Sequence, residues 1–305
     1  MGSIPTQMHD AVARIEQAGV LDAPSAILEP IARRLTRTDT AKRLLSGAPL
    51  GHRLHPVLTD IPIGTWTSAT LLDLLGGRKS RRAARRLIGV GIVAAVPTAA
   101  PRHSDGVDMQ GESRRVGVVH AASNSVGLLF QVASWSARGK GHHKRGALLS
   151  LIGLAAVGVG GYLGGHLVFA RREGVDVDVP ILEGAGWQVA CRTAELLDGQ
   201  PLGVEIDGVR VMLVRDLGRV YALAAVCSHA GGPLDEGQVR GGTIECPWHG
   251  SRFCLEDGSV ARGPAVRPQY VYDARVRDEL VEVRRHRPTD TAGDQSPRAP
   301  VVNIA

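Results

Sequence analysis

Cys227, His229, Cys246 and His249 are the residues of this chain whose types and spacing are best suited to chemistry. They stand in two short runs, Cys-Ser-His and Cys-Pro-Trp-His-Gly-Ser, with sixteen residues between His229 and Cys246. Two thiolates and two neutral imidazoles, one of each per run, are the donor set of a [2Fe–2S] centre in which one iron takes both sulfurs and the other both nitrogens. Each run then supplies one ligand to each iron, so two loops must close over the cluster like jaws. Gly231-Gly232-Pro233 in the first run, with Pro247 and Gly250 in the second, suit tight loops whose backbone N–H groups point at sulfur.

A structural zinc site of Cys₂His₂ type draws on the same four residue types. A zinc finger keeps its cysteines together and its histidines together, whereas each pair here is mixed. The mixed pairs favour the binuclear iron centre.

Residues from about Trp187 to Arg284 resemble a Rieske domain, with Cys227-Ser-His229-Ala-Gly and Cys246-Pro-Trp-His249-Gly-Ser-Arg-Phe as its ligand loops. Quinol-oxidising Rieske proteins of the cytochrome bc type carry a further cysteine in each loop, joined as a disulfide. Gly232 and Trp248 occupy those positions here, so the resemblance implies no such bridge. It also implies that Ser251 hydrogen-bonds a cluster sulfide, while Phe253 replaces a tyrosine that bonds a ligand cysteine. Fewer hydrogen bonds to sulfur stabilise the reduced cluster less and lower its potential. The loops are therefore more similar to those of Rieske ferredoxins.

The segments around the ligands read as short strands. Asp207-Gly208 joins two alternating runs as a hairpin, a second pair surrounds Leu217-Gly218, and Leu255-Glu-Asp257-Gly258 turns just after the second ligand loop. Tyr270–Val276 and Leu280–Arg284 form a last hairpin. Many short strands with glycine turns predict an all-β module. Beyond the two ligand cysteines only Cys191 and Cys254 remain, and a free buried thiol is the expected state of Cys254.

The first half has another character. Val116–Ala137 and Ala147–Ala170 contain no Asp, Glu, Lys or Arg over 22 and 24 residues, enough to cross a hydrocarbon core as helices. Two weaker candidates precede them: His55–Gly76 carries Asp60 and Asp73, and Leu87–Pro101 has only fifteen uncharged residues with two prolines. Four spans give a small antiparallel bundle. The net charge of +6 comes in clusters abutting these runs, and aromatic residues are only 4%, which fits membrane-flanking charge and excludes a nucleic-acid stacking platform. Gly51-His52-Arg-Leu-His55-Pro, Gly117-Val-Val-His120-Ala and Gly161-Tyr-Leu-Gly-Gly165-His166 resemble an uncharacterised four-span bacterial membrane domain that is sometimes fused to a Rieske module.

Four spans would bring His55, His120 and His166 to similar depth on the face that also carries the C-terminal domain. Ionisable groups in membrane helices mark functional sites. The expectation there is a redox or quinone-binding site, including a haem b held by two histidines such as His120 and His166, against interfacial histidines satisfied by headgroups and helix ends. Ten Lys/Arg flank one membrane face and nine the other, so charge alone does not orient the bundle. A folded cluster domain would need folded-protein export to reach the far side, and no twin-arginine signal precedes the last span, so a cytoplasmic Rieske domain is expected.

The expected architecture is a membrane all-α four-helix bundle plus a C-terminal all-β Rieske-type domain. Its parts are juxtamembrane helices over 1–50, lying on the membrane surface, a four-span domain over 51–172, the iron–sulfur domain over 180–286 and a disordered tail over 287–305. The expected function is a membrane-anchored carrier of single electrons between redox proteins, with a quinone as a further partner. The alternatives are the ferredoxin component of an oxygenase or reductase system with the helices as anchor only, or an iron–sulfur sensor. Oxygenation by this chain itself would need a 2-His-1-carboxylate iron site after the cluster, and only about twenty residues follow the last strand.

Overall fold

The computed structural model describes residues 4–106, 108–175, 177–183 and 186–286. The expected tail over 287–305 lies outside them. The chain divides into a helical unit up to Gly174 and a β unit from Val175 onward, the latter joined by two short stretches near residues 42–52.

The helical unit begins with α1 (Ile4–Gln17), α2 (Asp22–Leu35) and α3 (Asp39–Ser46), followed by the long helices α4 (Leu54–Leu75), α5 (Arg81–Gly106), α6 (Gly111–Gly139) and α7 (His143–Phe169). Packing of α4 on α5, α5 on α6, α6 on α7 and α7 on α4 closes a four-helix ring. Three helical stretches among the described residues are long and apolar enough to cross a membrane: Gly77–Pro101, Gly111–Gly139 and His143–Phe169. The fourth long helix, α4, falls short because Asp60, Asp73 and four threonines dilute its apolar residues.

Small residues and polar pairs join these helices where no water drives them together. A Cβ on Gly127 of α6 would lie 2.6 Å from Val157 Cγ2 and 3.0 Å from the Gly153 carbonyl of α7, so only glycine permits that approach. Nearby, Gln131 Nε2 donates to Ser150 O at 3.1 Å, Ser150 Oγ donates back to Gln131 Oε1 at 3.0 Å, and Ser134 Oγ donates to Gly146 O at 2.6 Å. Pro62 inside α4 has no N–H for the Leu58 carbonyl. Thr98 Oγ1 of α5 reaches that carbonyl at 3.3 Å.

The N-terminal helices are not merely laid beside the bundle. Val12 of α1 is buried with Val116, Leu163 and Leu167, and Ile15 packs on the same cluster. An i, i+3 apolar stripe was enough to dock α1, which the surface-lying expectation overlooked.

The β unit holds two antiparallel sheets. The first has six strands in the order β1-β10-β9-β4-β3-β2: β1 (Gln188–Arg192), β2 (Leu202–Ile206), β3 (Val209–Asp216), β4 (Arg219–Ala224), β9 (Val271–Arg277) and β10 (Leu280–Arg285). The second is β5 (Gln238–Arg240), β6 (Thr243–Glu245), β7 (Arg252–Cys254) and β8 (Val260–Arg262), in that order. The hairpins at Asp207-Gly208, Leu217-Gly218, Gly241-Gly242 and Asp278-Glu279 have positive φ at both central residues, the backbone that matches strand twist. Alternation along β3 buries both faces of the first sheet: Val211 and Leu213 enter one core, Met212 and Val214 the other. The second of these cores also holds Ile244, Phe253, Cys227 and Cys246, so the ligand loops are rooted in packed side chains.

Candidate metal centre

The first loop leaves the end of β4 and the second joins β6 to β7. Both are folded by the same device. Gly231 N–H donates to Cys227 O at 2.9 Å and Cys227 N–H to Gly232 O at 2.8 Å. In the second loop Gly250 N–H donates to Cys246 O at 3.0 Å and Cys246 N–H to Ser251 O at 2.8 Å. Gly231 and Gly250, each four residues after its cysteine, have φ of 78° and 67°. An L side chain at either position would be strained, which is why both runs need glycine there.

The structure brings all four predicted ligand residues together. Cys227 and Cys246 are buried at 1% and 3% exposure, and His229 and His249 meet edge to face with ring centroids 5.0 Å apart. The Cys227 thiol hydrogen-bonds the Cys246 sulfur; that bond and burial push Cys227 far above its ordinary range, while the same bond, against burial, pulls Cys246 down to about 7. Backbone N–H groups of His229 and Ala230 face the Cys227 sulfur, and those of Trp248 and His249 face the Cys246 sulfur. Loop amides thus supply positive dipole to a place where two thiolates would gather. Nδ1 of His249 is buried with no hydrogen-bond partner. A buried nitrogen left unpaired by the protein fits a metal ligand.

This donor set fits a [2Fe–2S] cluster: a sulfur pair, an imidazole pair and amides directed at sulfur. A single zinc ion would draw its donors to one point. Among the described residues no three His, Cys, Asp or Glu side chains converge as a single ion requires. Gly232 adds a steric condition, since a Cβ there would lie 2.9 Å from Cys246 Sγ and 3.1 Å from the Trp248 ring. All four cysteines are free. Cys191 is buried in the core away from the loops, and Cys254 is half-buried on β7.

Ser251 is fully buried and its Oγ accepts the Ala265 N–H at 3.0 Å, which leaves the hydroxyl proton as a donor. That bond belongs to a segment absent from the sequence reasoning. Gly263–Gln269 runs as a strap that meets both ligand loops: Ala265 at Ser251, Arg267 O accepting Ser228 Oγ at 3.1 Å, and Gln269 at the first loop. Its signal in the sequence was a lone amide just before the alternating run Tyr270-Val271-Tyr272.

In the helical unit the three singled-out histidines part company. His55 and His120 form a pair with ring centroids 6.1 Å apart. His55 Nδ1 lies 3.1 Å from Thr98 O, His120 Nδ1 lies 2.8 Å from Gly160 O, and Asn124 Nδ2 lies 3.3 Å from His120 Nε2. His166 Nε2 instead bonds Glu16 Oε1 of α1 at 3.0 Å. A haem held by His120 and His166 does not fit this arrangement, because each imidazole is engaged by a different set of protein groups. Asp60 is exposed on α4.

The comparisons with known proteins agree with the two-part reading. Residues 186–278 match the Rieske [2Fe–2S] domain, and residues 51–177 match a predicted membrane protein domain (DUF2231). The 3-phenylpropionate/cinnamic acid dioxygenase ferredoxin subunit of Escherichia coli O139:H28 is 33% identical over 88 residues, covering 28% of this chain and 82% of that protein. Apoptosis-inducing factor 3 of Mus musculus is 33% identical over 94 residues, 31% of this chain, and the chain spans only 16% of that relative's length. Among solved structures, the ferredoxin of carbazole 1,9a-dioxygenase from Nocardioides aromaticivorans IC177 is 34% identical, with 33% of this chain and 98% of that one covered and a TM-score of 0.32. With its ligand loops, their cluster and a helical membrane domain ahead of them, the chain belongs to the Rieske [2Fe–2S] family, fused to that membrane protein domain.

Proposed function

We propose that this protein is a membrane-anchored carrier of single electrons, with Cys227 and Cys246 holding one iron of the cluster and His229 and His249 the other. The observation that carries the assignment is the buried, unpartnered Nδ1 of His249 beside a hydrogen-bonded pair of thiols. The bound cluster takes up and releases one electron at a time. The chain's own residues set the conditions for it. Loop amides hold the thiolates, Ser251 keeps a hydroxyl donor in the buried site, and the strap fixes Ser251 through the Ala265 N–H.

The imidazole side is the outlet for the electron. Trp248 beside His249 is 54% exposed, with ring centroids 6.4 Å apart, and offers an aromatic contact to a partner protein. The dioxygenase ferredoxin subunit among the relatives supports an oxygenase component as that partner. Absence of the loop disulfide and Phe253 in place of tyrosine support a potential below that of quinol-oxidising Rieske proteins.

On the membrane side, the reading places a quinone headgroup at the His55–His120 pair. A backbone carbonyl only accepts, so each Nδ1 donates, and His120 Nε2 accepts from Asn124 Nδ2 at 3.3 Å, a long contact that a quinol hydroxyl would replace. The four long helices form the anchor, α4 included as a fourth span, with the β unit on the cytoplasmic side.

The deciding experiment is EPR of the reduced, anaerobically purified full-length protein. A Rieske signal that disappears in His229→Ala and in His249→Ala, with the bundle still inserted, supports the assignment. Zinc without iron or acid-labile sulfide would overturn it.

A further inference from the structure

We infer that Gln269 is a positioning residue that sets the geometry of the first ligand loop, an inference that rests on the ligand assignment proposed above. Gln269 is 3% exposed and precedes β9. An amide carries one acceptor oxygen and two N–H donors, and burial obliges all of them to find partners. Here every one goes to the chain around Cys227. Oε1 accepts the Ser228 N–H at 3.0 Å, while Nε2 donates to Ala224 O at 2.8 Å and to Val226 O at 2.6 Å.

Ser228 lies between Cys227 and His229, the two ligands of the first loop. Fixing its N–H fixes the peptide plane that leaves Cys227, and so the directions in which both ligand side chains set out. Ser228 Oγ is held as well, on Arg267 O at 3.1 Å. The amide is itself held rigidly. Gln269 N–H donates to Gly258 O at 2.8 Å, and Ala224 N–H donates to Tyr270 O at 2.9 Å. A Cβ on Gly258 would lie 2.0 Å from Gln269 O, so the strap presses directly on the turn behind it.

Outer hydrogen-bond partners orient metal ligands and tune the metal they hold. An apolar residue of equal length would keep the packing and abandon the Ser228 N–H and the Ala224 and Val226 carbonyls. The loop would then settle into several ligand geometries instead of one.

The test compares Gln269→Met, Gln269→Glu and the unsubstituted full-length protein, each purified anaerobically in detergent. EPR line shape, midpoint potential and the rate of iron release to a chelator are read in parallel. Gln269→Met should broaden or shift the EPR lines, move the midpoint and release iron about tenfold faster, the lower end of what lost outer partners cost in affinity. Gln269→Glu keeps an acceptor for Ser228 N–H but sets an oxygen against the Ala224 and Val226 carbonyls, so it should not restore the narrow lines. Val281→Ala, in the other core of the β unit, serves as a control of lowered stability and should leave line shape and potential unchanged. An unaltered Gln269→Met spectrum and release rate overturn the inference alone, as does a Val281→Ala protein that reproduces the changes. Absence of a Rieske signal from the unsubstituted protein overturns the ligand assignment and this inference together.

Discussion

His55 and His120 meet edge to face at 6.1 Å, and that one contact draws in all four long helices of the membrane unit. His55 comes from α4 and is bonded to Thr98 of α5, whereas His120 comes from α6 and is bonded to Gly160 of α7. Glycine is required at the receiving helix, since a Cβ on Gly164 would lie 3.1 Å from the His120 ring and one on Gly160 would lie 2.6 Å from Asn124. With His166 bonded to Glu16, His55 is the imidazole that stands with His120 among the described residues. Purified full-length protein should therefore show the absorption of the iron–sulfur cluster and no Soret band. A Soret band that vanishes in His120→Ala would restore the haem reading.

A quinone at this pair makes a second prediction. Replacing the long Asn124 contact at His120 Nε2 takes a hydroxyl donor, which a quinone carbonyl lacks, so a short-chain hydroquinone should bind the detergent-solubilised protein more tightly than its quinone form. His120→Leu should weaken the hydroquinone by about tenfold, the worth of one hydrogen bond of about 1.4 kcal/mol. Equal affinity for both forms, unaffected by the substitution, would reduce the pair to a helix-joining contact.

Arg138 of α6 and Asp73 of α4 form an ion pair in which the arginine side chain is fully buried. Arg138 Nε also donates to Ser134 Oγ at 3.1 Å. Removing one partner leaves the other charge buried and unpaired, which costs about 3–5 kcal/mol, while replacing both by apolar residues is often close to neutral. Asp73→Ala should lower the thermal midpoint of the helical unit clearly more than the double change Asp73→Leu/Arg138→Met. The reverse order would mean that the pair itself stabilises the bundle.

Much of this was legible in the sequence, because the signals were local. The mixed Cys/His runs, the hairpin glycines and the two uncharged runs of the last two helices each depend on neighbours in the chain, and each lies where the spacing said. What escaped depends on distant partners. Asp73 read as a flaw in a membrane span because Arg138, sixty-five residues on, was not visible as its counter-ion. His166 read as a companion of His120 by depth alone, and only the docking of α1 reveals Glu16 as its partner. Gln269 carried no motif, since its bonds reach back forty-one residues and more.

Gly232 offers a direct check on the closeness of the two loops. Its missing side chain admits the Cys246 sulfur and the Trp248 ring. Gly232→Ala should cost about 1–3 kcal/mol through overpacking and lower the iron content of the purified protein. Gly232→Ala combined with Trp248→Ala relieves the ring contact but not the sulfur contact. Recovery of full iron content in that double variant would show that sulfur has room to spare, contrary to the structure.

The thiol pair makes a pH prediction for the metal-free protein. Cys246 titrates near 7, below an ordinary thiol, because Cys227 donates a hydrogen bond to its sulfur and two backbone N–H groups face it. Cys227 is held protonated to high pH by that same bond and by burial. One thiolate should therefore appear in the ultraviolet as pH rises through about 7, while the second stays absent well above the ordinary thiol range. Cys246→Ser should abolish that first wave, and Cys227→Ala should move it up, because the hydrogen bond that favours the Cys246 thiolate is removed. Metal binding needs both sulfurs deprotonated, so loading releases the Cys227 proton and should become more favourable with rising pH even above 7. Two thiols titrating together at their ordinary value would mean that the sulfurs are not in contact before the iron arrives.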